Sequence, residues 1–157
     1  MRAIAIDPGY GRCGVALLEK ERGGPRLIIS TCVETHPSLS FPERLAHVIR
    51  ACEALIREHA PDTLVLEKLY FSNNQKTAMQ VAEVRGALIG LAARHALTLA
   101  EYTPGEVKSA VAGNGRADKS QIAKMVHLLV STNTPIRHDD EYDAIAVGLT
   151  HLARVRE

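Results

Sequence analysis

The chain opens Met1-Arg2-Ala3-Ile4-Ala5-Ile6-Asp7-Pro8-Gly9, an apolar run that ends on a carboxylate and turns at once through Pro-Gly. The run predicts a short buried strand over residues 2–6, bounded by turn chemistry. A charged side chain at such a strand end is costly to bury unless it is paired or holds a metal. The pattern returns at Thr63-Leu64-Val65-Leu66-Glu67, a second short apolar run ending on an acid. In open α/β sheets, ligands bind outside the carboxyl ends of parallel strands. Two parallel neighbouring strands would bring Asp7 and Glu67 out at one sheet edge.

Three strand-like stretches come first, about 2–7, 12–19 and 25–34, punctuated by Gly9, Gly11, Gly23-Gly24 and Pro25. The segment from Glu19 to Pro25 reads as a hairpin connection. Ser40-Phe41-Pro42-Glu43 predicts a helix start, with Ser40 as cap, Pro42 in the first turn and Glu43 closing a capping box. Leu45, Val48, Ile49, Cys52 and Ile56 follow at helical spacing, and Pro61-Asp62 breaks the helix. Residues 75–95 predict a long helix that packs through Met79, Ala82, Val84, Ala87, Leu88 and Leu91. Its Gly86 and Gly90 lie four apart on one face, open to a close contact within the monomer or across a dimer. A strand is expected at 97–102, a helix entry at Thr103-Pro104-Gly105-Glu106, and helices over 119–130 and about 140–156. Meandering strands followed by alternating strands and helices predict an α/β fold, a mixed sheet with helices on both faces.

A length of 157 residues predicts one domain with a real core. No apolar stretch approaches the roughly 20 residues of a membrane span, and the Met-Arg start followed by strand sequence lacks the features of a signal peptide. Cys13, Cys32 and Cys52 are odd in number and lack zinc-type spacing, which predicts free thiols in a reducing, cytoplasmic compartment. A net charge of +1 is weak for a nucleic-acid binder. The basic residues are nevertheless unevenly placed, with Lys108, Arg116, Lys119 and Lys124 accompanied only by Asp118 in that segment. Such a patch suits a polyanion, and equally a solvated face.

Arg137-His138-Asp139-Asp140-Glu141-Tyr142-Asp143 leads into the last helix. Asp143 shares a helical face with Asp140 or with Asp139. Helix capping accounts for acids over 139–141. It does not account for Asp143, one turn inside and followed by Ala144-Ile145-Ala146-Val147. Capping, surface and turn roles for each acid separately are the competing reading. If four carboxylates converge about 5 Å apart, each pair repels by roughly 3 kcal/mol at an effective dielectric of 20. Bound cations or strongly raised pKa values then become necessary. Oxygen-only ligands favour Mg²⁺ or Mn²⁺ over zinc. Two such ions about 4 Å apart are the usual device for in-line displacement at a phosphodiester.

These segments together resemble the RuvC-type Holliday-junction resolvases, which have a ribonuclease H-like fold with a mixed five-stranded sheet. The resemblance is carried by Ile4-Ala5-Ile6-Asp7-Pro8-Gly9, Leu66-Glu67-Lys68-Leu69-Tyr70-Phe71-Ser72-Asn73-Asn74 and Val84-Arg85-Gly86-Ala87. It continues through Val107-Lys108, Gly113 to Gln121, Met125-Val126 and Asp140-Glu141-Tyr142-Asp143-Ala144-Ile145-Ala146. It implies that Asp7, Glu67, Asp140 and Asp143 are the metal-binding catalytic acids, with Asp140 preferred over Asp139. It implies that Tyr70, with Phe71 as competitor, stacks on an unpaired base at a junction crossover, which is worth about 1–3 kcal/mol. Lys108 and Lys119 match basic positions near the scissile phosphate, and Asn73, Asn74 and Arg116 are further DNA-contact candidates. The implied partners are a four-way DNA junction, a second copy in a homodimer, and the branch-migration motor RuvA-RuvB.

The opening Asp7-Pro8-Gly9-Tyr10-Gly11-Arg12-Cys13-Gly14-Val15-Ala16 also resembles that of YqgF-type nucleases, which are linked to ribosomal-RNA processing. A non-catalytic junction-binding module is a further alternative. An actin-like ATPase shares the Asp-x-Gly turn but needs two such domains, more than 157 residues supply.

Overall fold

The computed structural model describes residues 1–69 and 75–155. The elements run β1 (Arg2–Asp7), β2 (Arg12–Glu21), β3 (Gly24–Glu34), α1 (Phe41–His59), β4 (Thr63–Glu67), α2 (Gln75–Arg94), β5 (Thr98–Tyr102), α3 (Pro104–Ala112), α4 (Lys119–Leu129) and α5 (Asp139–Arg154). The strands form one five-stranded sheet in the order β3-β2-β1-β4-β5. β1, β2 and β3 pair antiparallel, whereas β4 pairs parallel to both β1 and β5. The expected mixed sheet is therefore present, and its first three strands form the predicted meander.

Alternation along β1 divides the core. Ile4 and Ile6 join Val15, Leu17, Leu64 and Leu66 on the face covered by α1 and α2. Ala3 and Ala5 join Ala16 and Leu18 on the face covered by α3, α4 and α5. Small residues on this second face let α5 lie close to the sheet. A Cβ on Gly148 would stand 2.4 Å from Leu18 Cδ1 and 3.2 Å from Ala5 Cβ. α5 is accordingly buried over most of its length, from Ala144 to Leu152.

The helix starts follow the sequence signals. The Ser40 backbone N–H donates to Glu43 Oε2 at 2.8 Å, and Pro42 occupies the first turn of α1. Thr103 and Glu106 form a second capping box at α3. α1 ends at Ala60, whose φ of 45° reverses the chain before Pro61.

Two expectations are corrected. The β2–β3 connection is shorter than Glu19-to-Pro25, because pairing continues through Lys20↔Pro25 and Glu21↔Gly24. Gly24 turns at φ 119°, a region that favours glycine. In α2, Val84, Leu88 and Leu91 are buried as expected, but Met79 is 69% exposed and Ala82 faces solvent. These two lie on the opposite stripe, with Gly86 and Gly90, where an added Cβ would meet nothing within 4 Å. The two glycines therefore serve no close contact within the described monomer.

Candidate active site

Ile6 lies opposite Leu66 in the parallel β1–β4 pair, so Asp7 and Glu67 follow at adjacent carboxyl ends. The third contribution comes from α5, and its placement depends on Gly14. Gly14 is the cross-strand partner of Asp7, and a Cβ there would stand 1.9 Å from the Asp140 carbonyl oxygen. The absence of a side chain lets the first turn of α5 cross the sheet beside Asp7. One turn on, Asp143 joins Asp7 and Glu67 in the wall of a cavity of about 360 Å³. Lys108 from α3, Lys119 from α4 and Asp118 complete its polar lining.

The electrostatics are those of crowded, half-buried acids. Burial first, then the charges of Asp143, Glu67 and Asp140, push the Asp7 carboxyl up to about 7, with Lys119 opposing. Burial and the Asp143 charge raise Glu67, while Lys108 pulls it down. Burial likewise raises Asp143, against the Lys119 ammonium 3.6 Å from its Oδ2. Such a set favours added positive charge, and its hard oxygen donors fit a divalent cation. Asp7, Glu67 and Asp143 can hold it directly.

Asp140 is placed differently. Its charge is felt at Asp7, but its carboxylate does not line the cavity. Arg12 Nη2 holds Asp140 Oδ2 at 2.9 Å, on the side of the helix facing β2 and β3. Asp139 is exposed in the first turn. Arg116 is exposed in the loop before α4, where its N–H donates to Asn114 Oδ1, and it lies outside the cavity lining. The sequence-expected contacts Tyr70, Phe71, Asn73 and Asn74 lie outside the described residues.

Three supporting residues stand within the quoted segments but take their roles only from the fold. Glu141 is only 2% exposed. It accepts from Ser30 Oγ at 2.5 Å and from the N–H groups of Arg137 and His138 at 3.2 and 3.1 Å, pinning α5 to β3. Its place at the third helical position after His138 was the available signal. Asp118, also a wall of the cavity, caps α4 by accepting from the Gln121 N–H at 2.8 Å. Arg85 of α2 donates to the Glu67 carbonyl at 3.3 Å and pairs with Glu101 of β5. It fixes the main chain at Glu67 from the helix that carries the exposed glycine stripe, a long-range contact that no local spacing reveals.

Residues 3–151 match the model of a family described as crossover junction endodeoxyribonuclease RuvC. The protein of that name from Brachyspira hyodysenteriae is 38% identical over 156 residues, covering 99% of this chain and 96% of the relative. That from Salinispora arenicola is 40% identical over 155 residues, covering 98% and 89%. Among solved structures, Thermus thermophilus RuvC in complex with a Holliday junction substrate superposes with a TM-score of 0.88 at 28% identity, covering 96% of this chain and 92% of that one. The yeast mitochondrial resolvase Ydc2, at 11% identity and a TM-score of 0.69, shares the fold.

Proposed function

The chain belongs to the RuvC family of crossover junction endodeoxyribonucleases, and on that premise we propose that it resolves four-way DNA junctions by paired, metal-dependent nicking of symmetry-related strands during recombination and repair. Asp7, Glu67, Asp140 and Asp143 are its metal-binding catalytic acids. The observation that carries this reading is Asp7, raised to about 7 by burial and by the charges of the other three acids, in one cavity with Glu67, Asp143, Lys108 and Lys119.

When bound, two Mg²⁺ or Mn²⁺ ions supply charge stabilisation for both the attacking and the leaving oxygen of an in-line displacement. The side chains do the rest. Asp7 stands where the β1, β4 and α5 contributions meet and bridges the ligand set. Glu67 and Asp143 of the same cavity would hold the ions with it, and Asp140 would join them on leaving Arg12. Lys119 and Lys108 now face Asp143 and Glu67. With those acids engaged as metal ligands, both ammonium groups would be free for the scissile phosphate and the charge that grows on it. Cleavage of the bond to the 3′ oxygen leaves a 5′-phosphate. Tyr70 or Phe71 stacks on an unpaired base at the crossover, and Asn73, Asn74 and Arg116 contact the backbone.

The enzyme acts as a homodimer of single nuclease domains, joined along the exposed α2 stripe of Met79, Ala82, Gly86 and Gly90. A two-fold dimer presents two equivalent sites to a pseudo-symmetric junction. Its protein partner is the branch-migration motor RuvA-RuvB. Its compartment is the cytoplasm, where three free cysteines stay reduced.

The test compares wild type with Asp7→Asn on a four-way junction, in Mg²⁺ and in chelator. Wild type is expected to give paired symmetric nicks with 5′-phosphates in Mg²⁺ alone, while both proteins bind the junction. Equal cutting by Asp7→Asn would refute the site assignment. Cutting of linear RNA with junctions ignored would transfer the assignment to YqgF-like processing, which the opening turn also resembles.

A further inference from the structure

A second group of donors adjoins Asp140, whose Oδ2 accepts from the Cys32 thiol at 3.8 Å, and lies outside the cavity lined by Asp7, Glu67 and Asp143. Cys32 and Glu34 are two apart on β3, so both side chains leave one face of the strand. His138 immediately precedes α5. The fold brings the Cys32 sulfur, a Glu34 oxygen and a His138 ring nitrogen to within 4.8 Å of one another, a closeness no other trio of His, Cys, Asp or Glu reaches among the described residues. His138 Nδ1 is 3.8 Å from Glu34 Oε1. Cys32 and His138 also line a surface cleft of about 330 Å³, which gives a hydrated ion access.

The group already attracts a cation. Arg12 Nη2 is 3.1 Å from His138 Nδ1 and 2.9 Å from Asp140 Oδ2, and the Cys32 thiol donates to the same Asp140 oxygen at 3.8 Å. Arginine has only donors to offer, so the His138 nitrogen facing it is the accepting one, the form that binds metals. The Arg12 side chain is half exposed and can swing into solvent. Thiolate, imidazole and carboxylate together are the donor set that takes zinc and similar borderline-soft ions. The catalytic acids offer hard oxygens alone.

We propose that Cys32, Glu34 and His138 form a second metal site, adjoining Asp140 but outside the cavity of Asp7, Glu67 and Asp143, that takes a thiolate-binding transition ion such as Zn²⁺ with water completing the coordination. The Cys32 thiol gives its proton to solvent as the sulfur–metal bond forms. The Arg12 guanidinium leaves the group, and Asp140 is thereby released from its ion pair. The site stands on its own geometry and does not depend on the junction chemistry.

Co²⁺ is the probe, added to the full chain without DNA, in excess Mg²⁺ and a thiol-free reductant. Wild type is expected to develop a sulfur-to-cobalt charge-transfer band in the near ultraviolet, saturating at one equivalent per chain and abolished by Zn²⁺. Cys32→Ser loses the band. The other cysteines, Cys13 and Cys52, are fully buried in the core and do not supply it in the folded chain. Glu34→Gln, at an exposed position, keeps the band and weakens Co²⁺ binding about tenfold or more, since even outer-shell losses reach that size. Absence of the band from wild type, its survival in Cys32→Ser, or unchanged affinity in both Glu34→Gln and His138→Gln overturns the proposal.

Discussion

Gly14 and Asp140 meet backbone to backbone: a Cβ on Gly14 would lie 1.9 Å from the Asp140 carbonyl oxygen and 2.5 Å from its carbon. Gly14 is also the ladder partner of Asp7. The distance from the first acid to the acids of α5 is therefore set by a residue with no side chain. Gly14→Ala should push the start of α5 away from the sheet. Overpacking of this kind costs about 1–3 kcal/mol, measurable by urea unfolding. Junction cleavage should fall far more than that loss of stability explains, because the acids separate while the core persists.

Asp7 predicts a pH dependence of stability. Its carboxyl ionises near 7 when folded, against 3.8 as its ordinary value. Below 3.8 both states carry the proton. Between 3.8 and 7 the unfolded chain loses it and the folded chain keeps it, so stability falls as pH rises across that window and levels off above it. In chelator the full loss is about 4 kcal/mol by linkage. Asp7→Asn should remove that contribution and leave those of Glu67 and Asp143, whose carboxyls burial also raises. Mg²⁺ at pH 8 should raise the Tm of wild type more than that of the variant, by binding to the folded state.

Lys119→Ala tests the proposed catalytic role apart from stability. The Lys119 side chain is 77% exposed and reaches Asp143 across 3.6 Å, an exposed pairing that contributes little to folding. Lys119→Ala should leave the unfolding midpoint unchanged and lower the single-turnover cleavage rate about 100-fold or more, the scale for a lost transition-state donor. The salt dependence of junction binding should weaken by about one phosphate contact. A rate within threefold of wild type would exclude Lys119 from the scissile phosphate.

Glu141 is an acid of the same run with a different task. Its loss strands the Ser30 hydroxyl and two N–H groups at the start of α5. Glu141→Ala should destabilise the fold by about 3 kcal/mol. Glu141→Gln keeps an accepting oxygen and should cost less than half as much. Thermal unfolding of the pair reads the difference.

The α2 stripe tests the dimer. Gly86 has open space where its Cβ would be, so Gly86→Arg should leave the monomer fold, read by far-ultraviolet circular dichroism, unchanged. Sedimentation should then show monomers at concentrations where wild type is dimeric, and paired nicking should give way to single nicks. A dimer of unaltered affinity would move the interface elsewhere.

Two strands ending on Asp7 and Glu67, the Ser40 and Thr103 helix starts, and an acid that capping does not explain at Asp143 were all legible along the chain. Each is written in a local pattern: alternation, turn residues, or a spacing of three or four. Local patterns also placed Lys108 and Lys119 in a basic segment. They could not say which face of α2 is buried, since its apolar residues occur on both stripes, and Met79 lies on the exposed one. Nor could they separate Asp140 from Glu141, adjacent acids at one helix start. Only the packing of α5 against β2 and β3 divides them, sending Asp140 to Arg12 and Glu141 to Ser30. The same packing brings His138 to Cys32 and Glu34, about a hundred residues earlier in the chain. Propensity and periodicity act over a few residues and so determine elements. Charge neighbours, burial and donor groups arise between elements, and only the tertiary structure decides them.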